Sequence, residues 1–244
     1  MRKKRFIYTL AAVLLMCSAA SVGAGCGKSS PALLDSFGTH LDTLMTSKDK
    51  LSKMDGAAAD LCVIENEDEF SENDIEAPAG ALFNITDQKT LYSKNANDER
   101  EIASITKIMT ALLAMKYADL SQEVTISYTP EGLESSAVLC GFEQGDKMML
   151  SSLLSAALIY SGNDAAIDIA IAVAGSQEAF VDMMNQESKE LMTSHTHFAN
   201  PTGLTQSKHY SSVYDVYLMF QECLKYPTFR DIIARGSFLC YYTN

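Results

Sequence analysis

Hydrophobic residues recur at helical spacing through most of the second half of the chain. The clearest run predicts a buried helix from about Ser104 to Tyr117, because its apolar residues share one face. Leu150–Tyr160 and Ala165–Val173 predict two further helices, the second of them ended by Gly175. The residues of the first apolar face are Ile105, Ile108, Met109, Leu112 and Leu113.

Two later helices carry recognisable start signals. Ser176 is the predicted N-cap of a helix with an apolar inward face. Ser212–Asp215 is typical of a capping box and predicts a helix that ends at about Lys225. Pro227 then opens a short final helix. The inward residues of the helix after Ser176 are Phe180, Met184 and Leu191.

Strands are predicted on both sides of this helical region. Gly80–Ile85 and Thr90–Ser93 form a hairpin around Asp87–Lys89. Asp60–Ile64 and Ser237–Tyr242 are predicted as apolar strands. Strands at both ends with helices between them predict an α+β domain.

The N-terminus predicts an export signal over residues 1–25. Basic Arg2–Arg5 precedes the apolar run Phe6–Ala20, which is too short to predict a membrane-spanning helix. Gly23–Cys26 resembles a bacterial lipobox, in which the cysteine is lipidated and becomes the mature N-terminus. A larger aliphatic residue is preferred at the Gly23 position, so ordinary cleavage and secretion is the alternative to a lipid anchor on Cys26.

The composition fits an exported globular domain over residues 60–244. A tether over residues 26–59 would join this domain to the lipid anchor on Cys26. The 47% hydrophobic content is enough for a core, and the formal charge of −12 argues against nucleic acid as a partner. Four cysteines follow the tether without metal-motif spacing, and both disulfides and small buried side chains remain open. They are Cys62, Cys140, Cys223 and Cys240.

Ser104 and Lys107 are the strongest candidates for chemistry. Three residues apart on a helix, the two side chains share a face. A serine hydroxyl needs a base to become a nucleophile, and burial lowers the pKa of a lysine enough for its neutral amine to serve. A second copy of the spacing, Ser47–Lys50, lies in the polar tether and predicts a solvated face.

Ser161 and Asn163 form a second candidate element, in a short loop between two apolar helices. The hydroxyl of Ser161 is suited to relay a proton, and the amide of Asn163 to hold a substrate carbonyl and the lysine. A helix N-cap at Asn163 or Asp164 is the alternative interpretation, and it is compatible with the first.

These motifs with their flanks resemble the penicillin-binding proteins and class A β-lactamases. Three stretches in order are similar to the low-molecular-mass D-alanyl-D-alanine carboxypeptidases, the S11 peptidase family. The stretches are Ala103–Ala111, Ser161–Ala166 and Phe198–Leu204. The resemblance implies a penicillin-binding-protein/β-lactamase-like fold, an antiparallel sheet with a helical cluster.

The resemblance also implies an activity. Ser104 would form an acyl-enzyme with release of D-Ala, with Lys107 as base and Ser161 and Asn163 completing the site. The substrate would be the pentapeptide stem of peptidoglycan, water would deacylate the enzyme, and β-lactams would inhibit it covalently. The protein would act on the outer face of the cytoplasmic membrane. No cofactor or metal is implied.

One departure from the family concerns its third motif, Lys-Thr-Gly, which lies on a late strand and binds the substrate carboxylate. The sequence contains no Lys-Thr-Gly. We expect that the sequence is truncated before its C-terminal strands, rather than that the chain is a degenerate relative of the family. Without those strands the activity of the chain should be badly impaired. A non-catalytic envelope lipoprotein that binds peptidoglycan or a protein partner is the alternative function.

Two other enzyme classes are disfavoured. A β-lactamase needs a deacylating glutamate on a loop after the Ser-x-Asn element, but Glu178, Glu187 and Glu190 fall on a helical pattern. His195 and His197 suggest a metal only weakly, because no acidic or cysteine partner has ligand spacing nearby.

Overall fold

A computed structural model of the protein describes residues 2–7, 61–64, 75–128 and 133–243. The chain falls into two compact units. The smaller comprises Leu15–Ala96, and the larger comprises Met1–Leu14 with Asn97–Asn244. Cys26, the predicted tether and most of the predicted export signal lie outside the described residues.

A β-hairpin is the main described element of the smaller unit. Gly80–Asn84 pairs antiparallel with Lys89–Lys94, which confirms the predicted hairpin. Asn84 stabilises the turn, since its Oδ1 accepts from the backbone N–H groups of Thr86 at 3.0 Å and Asp87 at 3.1 Å. The predicted strand at Asp60–Ile64 is wrong in extent, because its described residues form only a bridge between Val63 and Lys89.

Six α-helices are described in the larger unit. Ser104 lies in a 3-10 turn, Ala103–Thr106, that leads into the first of these helices. The second helix continues as a π-helical segment, Ala156–Tyr160. The helices are α1 (Lys107–Tyr117), α2 (Leu150–Ser155), α3 (Asn163–Ala174), α4 (Gln177–Glu190), α5 (Val213–Leu224) and α6 (Pro227–Ile233).

The helix ends follow the predicted signals closely. Ser176 Oγ accepts from the N–H of Ala179 at 3.1 Å, and Gly175 ends α3 at a φ of 83°. Ser212 Oγ accepts from the N–H of Asp215 at 3.1 Å. The Asp215 carboxylate accepts from the N–H of His195 at 2.7 Å, so it also ties the start of α5 to the loop after α4.

Short strands complete the larger unit. Ser237–Tyr242, a predicted strand, pairs antiparallel with the backbone of Arg2–Ile7, which belongs to the predicted export signal and would be lost on cleavage before Cys26. Glu123–Thr125 pairs antiparallel with Lys147–Met149, and sequence analysis missed this pair because strands so short carry too little alternation.

The hydrophobic core lies among the helices. Leu112 and Leu113 of α1 and Ile169 of α3 are fully buried, and Phe180 and Met184 point inward from α4 as predicted. This packing fixes α1 as the central helix, and with it the turn that carries Ser104. Within the part of the chain that the structure describes, no helix has both the length and the apolar character needed to cross a membrane.

Candidate active site

The candidate nucleophile and base meet at the start of α1. Lys107 Nζ lies 3.1 Å from Ser104 Oγ and donates a hydrogen bond to it. Lys107 is buried, with only 2% of its surface exposed, whereas Ser104 is exposed. The exposed hydroxyl of the candidate nucleophile therefore lies against an enclosed amine, as the predicted shared face requires.

Two further acceptors enclose the same amine. Lys107 Nζ donates at 2.8 Å to Oδ1 of Asn163 and at 2.8 Å to the backbone carbonyl of Thr202. Asn163, at the start of α3, is buried. The structure thus brings Asn163 to Lys107 across 56 residues of sequence.

Ser161 lies on the loop that precedes Asn163. Its backbone is left-handed, with a φ of 64°, and its side chain is half-buried. The loop is held on both sides, because Gly162 N–H donates to the Ala156 carbonyl at 3.2 Å and Asn163 N–H donates to the Val138 carbonyl at 2.8 Å. Gly162 occupies the N-cap position of α3, so the alternative interpretation, an N-cap at Asn163 or Asp164, is wrong.

A left-handed serine at this point is a strained conformation that the surrounding structure must hold. Gly162 is closely packed as well, since a Cβ placed there would lie 2.3 Å from Cys140 Sγ. The loop that presents Ser161 therefore has a defined conformation enforced by its neighbours.

The Asn200–Leu204 loop is a part of the site that sequence reasoning left without a role. Asn200 Oδ1 accepts from Thr202 Oγ1 at 2.8 Å and from Gly203 N–H at 2.7 Å. Thr110 of α1 donates from its hydroxyl to the Pro201 carbonyl at 2.7 Å. The signal was available in the turn-forming Asn-Pro-Thr-Gly sequence, but only the fold shows that the turn delivers a carbonyl to Lys107.

Gly203 fits tightly against the turn that carries Ser104. A Cβ at this position would lie 1.9 Å from the carbonyl oxygen of Ala103 and 2.9 Å from the backbone nitrogen of Ser104. Gly203 has a φ of 86° and Ala103 a φ of 45°, so both backbones at this contact are left-handed. Only glycine permits so close an approach.

Burial dominates the electrostatics of the candidate base. It lowers the pKa of Lys107 to about 8, while the negative charge of Asp164 acts in the opposite direction. Asp164 is anchored next to the lysine, because its carboxylate accepts from the N–H groups of Cys140 at 3.0 Å and Gly141 at 2.9 Å. Burial also raises the pKa of the Cys140 thiol, which keeps it protonated beside the site.

The remaining candidates lie outside this cluster. His197 Nδ1 is 2.6 Å from the carbonyl of Lys208, and His195 donates its backbone N–H to Asp215. Among the described residues, no group of three or more His, Cys, Asp or Glu side chains is arranged to hold a metal ion. The four described cysteines are buried, as the hydrophobic interpretation predicted, and Cys140, Cys223 and Cys240 form no disulfide with another described residue.

Comparison with known proteins gives the same relatives by sequence and by structure. The D-alanyl-D-alanine carboxypeptidase family matches residues 66–234. The chain is 41% identical over 158 residues to the D-alanyl-D-alanine carboxypeptidase DacF of Bacillus subtilis, a match that covers 63% of this chain and 40% of the relative. It is 31% identical over 174 residues to the D-alanyl-D-alanine carboxypeptidase of a Streptomyces species, covering 67% of this chain and 60% of the relative.

Solved structures show the same fold. The Streptomyces K15 DD-transpeptidase superposes with a TM-score of 0.61 at 29% identity, over 65% of this chain and 64% of the other. A D-alanyl-D-alanine carboxypeptidase from Mycobacterium tuberculosis has a TM-score of 0.60 at 25% identity, over 67% of this chain and 65% of the other. The expected penicillin-binding-protein fold is thereby confirmed, although the chain spans less than two thirds of the length of each of these relatives.

Proposed function

We propose that this chain, which belongs to the D-alanyl-D-alanine carboxypeptidase family of serine peptidases, removes the terminal D-Ala from peptidoglycan stem peptides through an acyl-enzyme on Ser104. The observation that carries the proposal is the 3.1 Å contact between Ser104 Oγ and the buried amine of Lys107. A serine–lysine pair with a depressed lysine pKa is a chemically complete nucleophile and base.

The surroundings of Lys107 explain how it would act as a base. A neutral amine has two N–H groups and one lone pair. Asn163 Oδ1 and the Thr202 carbonyl can only accept, so they take the two N–H groups. The lone pair is then left facing Ser104 Oγ, which can give up its proton as it attacks the carbonyl carbon of the penultimate D-Ala.

The second half of the reaction needs that proton at the leaving amine. In this proposal the proton passes from Lys107 through the Ser161 hydroxyl to the nitrogen of the departing D-Ala. The amide of Asn163 binds a substrate carbonyl, and the backbone N–H of Ser104 donates to the oxyanion. Water then hydrolyses the Ser104 ester, with Lys107 again accepting a proton.

The first experiment tests the pair by substitution. We expect the full-length protein to release D-Ala from a pentapeptide and to be labelled by a fluorescent penicillin. Lys107→Ala should lower the acylation rate by roughly three to six orders of magnitude while the fold survives. Ser104→Ala serves as the blank. Acylation of Lys107→Ala at close to the wild-type rate would leave Lys107 with a structural role only.

The location of the activity is a separate part of the proposal. Peptidoglycan lies outside the cytoplasm, and the basic and apolar N-terminus with Cys26 supports export and a lipid anchor. A fatty-acid probe fed to expressing cells should label the wild type and not Cys26→Ala. Equal labelling of the two would remove the anchor and leave ordinary secretion.

A further inference from the structure

His209 is a buried side chain that the reaction just described does not use. It comes from the segment after the Asn200–Leu204 loop and is only 5% exposed. One ring nitrogen, Nε2, lies 2.7 Å from Thr106 Oγ1, within the turn between Ser104 and Lys107. The other, Nδ1, accepts from the backbone N–H of Ala199 at 3.0 Å.

The hydrogen bond from Ala199 determines the state of the ring. Because Nδ1 accepts from an N–H group, it carries no proton, and in the neutral ring the proton is on Nε2. Nε2 therefore donates to Thr106 Oγ1. Phe198 packs edge-to-face on the ring at 6.0 Å, and burial lowers the pKa of His209, so the neutral form is favoured.

We propose that His209 is a positioning residue: its ring joins the Ala199–Gly203 loop to the turn of Ser104 and so holds the Thr202 carbonyl against Lys107. The inference rests on the proposed role of Lys107 as the base. It concerns the orientation of that base, and it gives His209 no contact with the substrate.

The loop can transmit this restraint because it is internally bonded. Asn200 follows the anchored Ala199 and binds Thr202 and Gly203 through one side-chain oxygen. Ala199 to Gly203 therefore moves as one piece. Without the ring, the loop would keep its internal bonds but lose its link to Thr106, and water could reach Lys107 beside the Thr202 carbonyl.

The charged groups that face Lys107 are not the ones that face His209. Lys107 faces Asp164 and the Cys140 thiol from neighbouring elements. His209 faces His197, and it shares the wall of an open cavity of about 490 Å³ with charged and phenolic groups. Those groups are Glu99, Arg100, Glu101, Lys208 and Tyr210.

The test compares His209→Leu, which removes both hydrogen bonds, with His209→Gln, whose amide offers one donor and one acceptor. Lysines are labelled with ¹³C at Cε, the Lys107 resonance is assigned by its loss in Lys107→Ala, and its titration is followed by NMR. We expect a midpoint of about 8 in the wild type and a shift towards the ordinary 10.5 in His209→Leu.

Acylation by a fluorescent penicillin is measured on the same proteins. His209→Leu should acylate at least about tenfold more slowly, and the rising limb of its pH–rate profile should move to higher pH with the Lys107 titration. His209→Gln should recover most of both properties. Thr106→Val removes the hydrogen bond between Thr106 and His209 while keeping the His209 ring, and it should reproduce the shift of the Lys107 titration. It provides the test if His209→Leu folds poorly.

The outcomes separate this inference from the proposed function. The inference would be overturned if the Lys107 titration were unchanged in folded His209→Leu and Thr106→Val. This holds even if acylation were slower, because a general loss of rigidity in the loop would explain a slower acylation alone. A moved titration in a protein whose wild type is never acylated would uphold the positioning role and overturn the proposed function.

Discussion

Burial determines the protonation behaviour of Lys107. The folded protein lowers its pKa from 10.5 to about 8, so between these values the unfolded chain binds more protons than the folded one. The unfolding free energy attributable to this group therefore rises with pH across that window. Below pH 8 the charged amine costs the fold about 3 kcal/mol.

The same shift predicts how acylation depends on pH. Neutral Lys107 should make up about a tenth of the protein at pH 7 and about nine tenths at pH 9. We therefore expect the second-order rate constant for penicillin acylation to rise about tenfold per pH unit below pH 8 and to level off above it. Stopped-flow fluorescence from pH 6 to 10 measures this profile.

The control for that profile is the stability of the β-lactam ring and of the fold over the same range. Rates are corrected with Ser104→Ala, and circular dichroism is recorded at each pH. A flat profile in a folded protein would mean that Lys107 does not supply the titrating base.

At this scale the sequence predicted part of the site. The spacing of Ser104 and Lys107 predicted their contact, because three residues of helix place side chains on one face. It could not predict the Thr202 carbonyl, since a backbone group carries no sequence signature and comes from a loop 95 residues away. The link from His209 to Thr106 was hidden because it joins two side chains that are 103 residues apart in sequence.

At the scale of elements, Gly203 and the turn of Ser104 are in direct backbone-to-backbone contact, with no side chain between them. A methyl group there would meet the Ala103 carbonyl at 1.9 Å. Backbone cannot yield as a flexible side chain does, so the turn or the loop would have to move. Either movement changes the distance between Ser104 Oγ and Lys107 Nζ.

Gly203→Ala should therefore reduce the acylation rate on the order of 100-fold, as small misplacements of reacting groups do. Gly175→Ala is the matched control, because Gly175 has nearly the same φ, 83° against 86°, but nothing within 4 Å of its missing Cβ. Both variants share the cost of a left-handed alanine, about 1 kcal/mol.

Acylation kinetics and thermal unfolding are measured on the pair. We expect both variants to lose a similar amount of stability from the left-handed alanine, and Gly203→Ala to lose more because of its contact with Ala103. Only Gly203→Ala should acylate slowly. Equal acylation rates for the two variants would show that the loop adjusts without disturbing Ser104.

Local signals also explain which elements could be predicted. The ends of α3, α4 and α5 follow from Gly175, Ser176 and Ser212, because capping acts between neighbours in sequence. The π-helical segment Ala156–Tyr160 and the left-handed Ser161 did not follow from any pattern. They depend on tertiary packing around the loop that leads to α3.

At the scale of the whole larger unit, α1 is held at both ends by polar contacts to other elements. Near its start Thr110 binds the Pro201 carbonyl, and near its end Lys116 donates to both oxygens of Glu187 on α4 at 2.8 Å. Tyr117 donates to the same carboxylate at 3.0 Å. The side chain of Glu187 is 1% exposed, so this buried carboxylate depends on Lys116 and Tyr117 for its hydrogen bonds.

This dependence predicts an asymmetry between two ion pairs. Lys116→Met would leave a buried carboxylate without its cation, and removing one partner of a buried pair typically costs about 3–5 kcal/mol. Since Lys116 itself is 31% exposed, we expect the lower end, about 3 kcal/mol, and a fall in Tm of roughly 6–12 °C. Lys225→Met is the matched control.

Lys225 pairs with Glu222 at 2.6 Å, but the two side chains are 70% and 24% exposed, so losing the pair should cost less than about 1 kcal/mol. Urea unfolding at pH 7 measures both variants, with Glu187→Gln added to Lys116→Met. Neutralising the carboxylate should restore part of the loss, because the destabilisation comes from the unpaired charge. No restoration would mean that Lys116 stabilises α1 through its contact with Tyr117, whose ring centroid lies 5.2 Å from Nζ, and not through its ion pair with Glu187.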